Sequence, residues 1–200
     1  MFSGEQTYLF DVTINGDTNL EVGERFFVNV NNVSGAAIQK GLGIATILTD
    51  DPPVVISEFR TRGPNGANDE FIEIYNSTDS PIDISGWKIK GSNSSGTVAT
   101  RVTVNNNTTL PARGHLLATN STSYSGSVSG DQTYTNGITN DGGIALTTPD
   151  DLVLDQAGMS VGSEFKEGTT LAPLSGDTNH SYERKPGGFQ GSTQDTDDNN

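Results

Sequence analysis

Two adjacent prolines, Pro52 and Pro53, divide this chain between two apolar runs, GLGIATIL ending at Leu48 and VVISEF starting at Val54. Proline fixes its own φ, restricts the residue before it and offers no amide donor, so a strand ladder cannot run through such a pair. The doublet reads as a stiff, very short joint at 52–53. It separates a unit at 1–51 from a unit at 54–186, and residues 187–200 form a polar acidic tail or linker. Gly, Asn, Ser and Thr are abundant, and long runs of Ala, Leu, Glu and Lys are missing. Apolar residues come in short alternating stretches between turn residues, which predicts an all-β chain.

In the first unit, TYLFDVTI (7–14) alternates, with Tyr8, Phe10, Val12 and Ile14 on one strand face. Asn15-Gly16 is a turn signal. ERFFVNV (24–30) and GLGIATIL (41–48) are the next two strands. Three strands cannot close a sandwich, because one face stays bare. Residues 1–51 therefore read as the back half of a domain, and the chain as a fragment of a longer protein. The opening MFSGEQTYLF has neither the basic region nor the apolar core of a signal peptide.

In the second unit, strands are predicted at VVISEF, EFIEIYN, PIDISGWKIKG, GHLLATN, GGIALTT and DLVLDQAGM, with a last short one in SYERKPG. TRGPNGAND (61–69) is a loop dense in turn residues. Ser85-Gly86 shifts the phase between Ile84 and Trp87, which predicts a bulge. Trp87 lies in an apolar strand pattern and reads as a core anchor, with sugar stacking the less favoured role. Glu58, Glu70 and Glu73 read as outer-face acids or as buried partners for Arg60 or Arg62. A glycosidase pair would need two acids facing each other across a cleft, which a sandwich does not provide.

The segment GDTNLEVGERFFVNVNNVSGAAIQKGLGIATILTDD (16–51) resembles the C-terminal half of a Calx-beta domain. The likeness lies in the Asp-rich turn, the E-x-x-E-x-F step, the small-residue loop and the closing G-x-G-x-A-T-I-x-x-D-D. It implies calcium at one end of the sheet, with Asp17, Glu21, Glu24, Asp50 and Asp51 as ligands. Carboxylates gathered at one end repel unless a divalent cation neutralises them, and calcium takes roughly six to eight oxygens. Asn15 and Gly16 stand where some family members carry acids, and ligand count sets affinity, so binding by this fragment is expected to be weak. The alternative is that these are solvated turn acids.

The segment VVISEFRTRGPNGANDEFIEIYNSTDSPIDISGWKIKG (54–91) resembles the start of a lamin tail domain, through I-S-E-F, D-E-F-I-E-I-Y-N and I-D-I-S-G-W. The likeness continues more loosely to about residue 186. It implies an immunoglobulin-like β-sandwich without a shared catalytic site, of a kind found in secreted bacterial proteins beside Calx-beta repeats or hydrolase and nuclease domains.

The formal charge of −14 disfavours nucleic acid and anionic membranes as partners. The absence of cysteine excludes disulfides and thiolate metal sites. His115 and His180 have no partner at metal-ligand spacing, no G-x-S-x-G elbow is present, and GPNGAN lacks the Lys and Ser/Thr of a P-loop. The N-x-S/T sites at Asn76, Asn93, Asn107 and Asn120 read as chance in an Asn-rich chain. The expectation is a non-enzymatic structural, adhesion or interaction segment of a larger extracellular or cell-surface bacterial protein, stiffened by Ca2+. It would contact neighbouring domains and a protein or glycan ligand through loops such as 61–69. The alternative is an accessory targeting module of an extracellular hydrolase or nuclease whose catalytic domain lies outside this chain.

Overall fold

The computed structural model describes residues 9–13, 24–47, 52–187 and 198–199. They are all-β, and the second unit is an immunoglobulin-like β-sandwich, as predicted.

In the first unit, β1 (Glu24–Asn29) and β2 (Leu42–Ile47) pair antiparallel, Glu24 opposite Ile47 and Asn29 opposite Leu42. The ribbon carries apolar side chains on both faces. Phe27 and Ile44 are partners on one face, 58% and 60% exposed, while Phe26 pairs with Ala45 on the other. The strand predicted at 7–14 is not present over its described part, 9–13, where Leu9, Phe10 and Val12 are exposed. Alternation supplies an apolar face but no partner to cover it, and an isolated ribbon gains little by adding an uncovered strand.

The second unit contains β3 (Val54–Arg60), β4 (Phe71–Asn76), β5 (Ile82–Asp83), β6 (Lys88–Ser92), β7 (Val98–Thr103) and β8 (Thr109–Leu110). It continues with β9 (His115–Asn120), β10 (Gln132–Tyr134), β11 (Gly143–Thr147), β12 (Val153–Gly158) and β13 (Tyr182–Glu183). One sheet has the order β10-β9-β4-β3-β13 and the other β12-β11-β6-β7, with β5-β8 as a separate pair. The β10–β9 pairing is parallel and the rest are antiparallel.

The period of two decides which side chains enter the core. Ile72 and Ile74 face in from β4, Ile89 from β6, and Ile144 and Leu146 from β11, all without solvent contact. Trp87 is buried in the same cluster and anchors it. Ile89→Val removes one methylene from this packing and is expected to cost about 1 kcal/mol in urea unfolding, with the fold unchanged.

The bulge predicted at Ser85-Gly86 is instead a turn between β5 and β6. Trp87 N–H donates to Ile84 O, Asp83 accepts from Ser85 N–H, and Gly86 has φ +74°, which a side chain would strain. The register slips lie elsewhere, between Ile56 and Glu58, Ile89 and Lys90, and Leu146 and Thr147. The first of them turns Ser57 out of the β3–β4 ladder.

At the end of the sandwich nearest Val54, Asn76 ties the β4–β5 and β8–β9 connections together. Its Nδ2 donates to Ser80 O, Leu110 O and Pro111 O, and its Oδ1 accepts from Thr78. Asn93 likewise accepts from Ser95 and Thr97 to build the β6–β7 turn. The N-x-S/T sites at Asn76, Asn93 and Asn120 thus have structural causes, with side-chain amides standing in for turn backbone.

Candidate functional site

At the opposite end, where β3 and β9 finish and β4 starts, the segments 61–70, 121–131, 135–142 and 176–181 come together. Three buried charged side chains, Arg60, Asp69 and Glu70, hold them. Arg60 is 3% exposed. Its Nε donates to Asp69 O at 2.9 Å and its Nη1 to Asn179 Oδ1 at 2.8 Å, and its Nη2 pairs with the Asp69 carboxylate. The guanidinium also stacks near Phe71 and Tyr124, 5.2 and 5.9 Å from the ring centroids. Asp69 in turn accepts from Asn65 N–H, Ser125 N–H and Ser125 Oγ. Burial pushes the Asp69 carboxyl up, but these hydrogen bonds and the Arg60 charge outweigh it and hold the pKa below the ordinary carboxylate value. Gly63 passes so close that a Cβ there would lie 2.8 Å from both Arg60 and Asp69, so only glycine lets the loop close over the pair.

Glu70, beside Asp69, faces inward and is 1% exposed. It accepts from Asn120 Nδ2 at 3.0 Å and Ile138 N–H at 2.9 Å. Burial dominates and raises its pKa to about 7, against the lowering effect of these donors and of the Arg101 charge. Tyr134 lies close enough for the Glu70 charge to add to burial in raising its hydroxyl pKa, yet no hydrogen bond of ordinary geometry reaches its Oη. Thr61 Oγ1 donates to Asn140 Oδ1 and Arg62 pairs with Asp177, which completes the cross-links between loops.

None of the three predicted glutamates partners Arg60 or Arg62. Glu58 accepts from Ser181, and Glu73 accepts from Ser57 and lies 2.9 Å from His115 Nδ1. The arginine partners are Asp69 and Asp177. Asp69 sits next to Glu70 in the D-E-F-I-E-I-Y-N run, and nothing local distinguishes the acid that meets a cation from the one that meets amides.

Of the predicted calcium ligands, Asp17, Glu21, Asp50 and Asp51 lie outside the described residues, as does the side chain of Glu24, whose backbone starts β1. Among the described residues no group of three or more Asp, Glu or His is placed to hold a metal ion. The buried charges of the loop end are engaged with loop backbone.

No curated protein matches the chain. The family model of the lamin tail domain matches residues 49–161, more than half of the sequence, and takes in β3 to β12 with the Arg60, Glu70 and Trp87 environments. The chain belongs to the lamin tail domain family.

Proposed function

We propose that this chain is a structural, adhesion or interaction segment of a larger secreted bacterial protein, with its first unit a partial Calx-beta sheet stiffened by calcium. The lamin tail domain is a non-catalytic immunoglobulin-like module. The observation that carries the reading is the Arg60–Asp69 and Glu70–Asn120 pair of networks. They fasten four loop segments to the sandwich, as suits a module that presents loops to a protein or glycan at little ordering cost. The calcium part draws support from the β1–β2 register. Glu24 pairs with Ile47, three positions before Asp50 in the sequence, so candidate acids flank one end of the ribbon along the chain.

Calorimetric titration with calcium tests the cation site. Weak binding, near the millimolar range of extracellular modules, is expected for the chain and is expected to vanish in the Asp50→Asn/Asp51→Asn variant. Equal heats from both proteins, or none at several times that concentration, would remove calcium from the reading and leave loop presentation by the sandwich.

A further inference from the structure

The tail reads as linker by composition, yet Asp198 and Asn199 are bound residue by residue to the free edge of β12 and the segment that follows it. The Asn199 carboxamide engages β12 as a peptide group of a neighbouring strand would. Its Oδ1 accepts from Gly158 N–H at 2.9 Å, and its Nδ2 donates to Gln156 O at 3.3 Å. The same Oδ1 accepts from Glu167 N–H at 2.9 Å, Nδ2 donates to Glu167 Oε2 at 3.1 Å, and Asn199 N–H donates to Glu167 O. Asp198 accepts from Thr169 N–H at 2.9 Å and from Thr169 Oγ1 at 3.3 Å. Both residues also line a cavity of about 150 Å³ whose floor includes Ile56, Phe59 and Tyr182. Arg184, Lys185, Glu167 and Glu183 line the same cavity.

We propose that the β12 edge and residues 167–169 form a docking site that reads an asparagine carboxamide, and that its occupant is the chain's own Asp198–Asn199 segment. The donor pattern makes the site selective. At the Asn position two amides meet an acceptor while a carbonyl and a carboxylate meet a donor, a pattern that a carboxamide supplies from one group. An Asp there would set its second oxygen against Gln156 O and the Glu167 carboxylate.

Hydrogen exchange on the full chain tests this. Asn199→Asp is expected to speed exchange of the Gly158 and Glu167 amides by about tenfold, the equivalent of one lost hydrogen bond, with the Ile144 and Leu146 amides unchanged. Adding a synthetic peptide of residues 194–200 at millimolar concentration to the Asn199→Asp protein should restore their protection. The same peptide carrying Asn199→Asp should not. Unchanged exchange in Asn199→Asp overturns the docking contact. Equal action of the two peptides, or none by either, overturns recognition of the carboxamide.

Discussion

Asp155→Ala is expected to cost about 3–5 kcal/mol of unfolding free energy, enough to leave a marginal domain substantially unfolded at 37 °C. Asp155 is buried on β12 and spans the two sheets. Its Oδ2 accepts from Ile56 N–H at 2.6 Å, and its Oδ1 meets Arg184 Nη2 at 2.6 Å. Arg184 returns to the same place, donating from Nε to Ile56 O and from its backbone N–H to Ser57 O. One carboxylate thus satisfies the Ile56 amide, offsets a largely buried cation and joins β12 to β3 and β13. Its removal leaves both groups desolvated with an acceptor lost, the costly way to break a buried pair. Asp155→Asn keeps an acceptor for Ile56 and is expected to lose about half as much. Urea unfolding by tryptophan fluorescence, with Trp87 the single tryptophan, measures both. A loss below 1 kcal/mol for the alanine variant would show that the latch is dispensable.

Glu70 supplies the second large effect, a stability that falls as pH rises. In the unfolded chain its carboxyl releases a proton near its ordinary 4.5, and in the folded protein near 7. Between these values the folded state holds more protons than the unfolded one, so stability declines as pH rises through the window and levels off above it. The span corresponds to about 3 kcal/mol at most. Below pH 4.5 the contribution is fully present, although carboxylates held low, such as Asp69, then begin to work in the opposite sense. Glu70→Gln removes the titration. Urea unfolding at a series of pH values from 4.5 to 8 should give a wild-type curve steeper than that of the variant, and subtraction isolates the contribution of Glu70. Parallel curves would mean that Glu70 ionises in the folded protein as it does in water.

The parts of this fold legible in the sequence are those set by side-chain period. Ile72/Ile74 and Ile144/Leu146 alternate because alternate residues of a strand face the core, and Trp87 stands out by size. β7, β8 and β10 were not foreseen. Val98 to Thr103 is mostly small or polar, and Gln132–Tyr134 shows too short an alternation to register. The roles of individual acids were illegible for another reason. Glu70 is defined by Asn120 and Ile138, and Asp155 by Ile56 and Arg184, partners far away in the chain. The run D-E-F-I-E-I-Y-N was readable as a family mark, but only the folded backbone assigns Asp69 to Arg60 and Glu70 to the amides. Asn199 was hidden in the same way, because a tail rich in Asp and Asn looks alike at every position until β12 selects one carboxamide.

The antiparallel pairing of β13 with β3 determines how this module would carry load. Glu183 sits opposite Glu58 and Arg184 bonds Ser57 and Ile56, so the chain departs heading back toward Val54, the end by which it entered. A tether pulled through residues 54 and 184 would peel β13 from β3 one pair at a time instead of shearing whole strands past each other, with the Asp155–Arg184 contact as the first catch. Such a module hangs beside a taut chain like a pendant and adds little to its length. A pull applied at the seated Asp198–Asn199 would reach the domain at Gly158, nearer the far end of the sandwich than Asp155. Tension would then run through the body of the domain, and a two-residue clasp would decide between pendant and link.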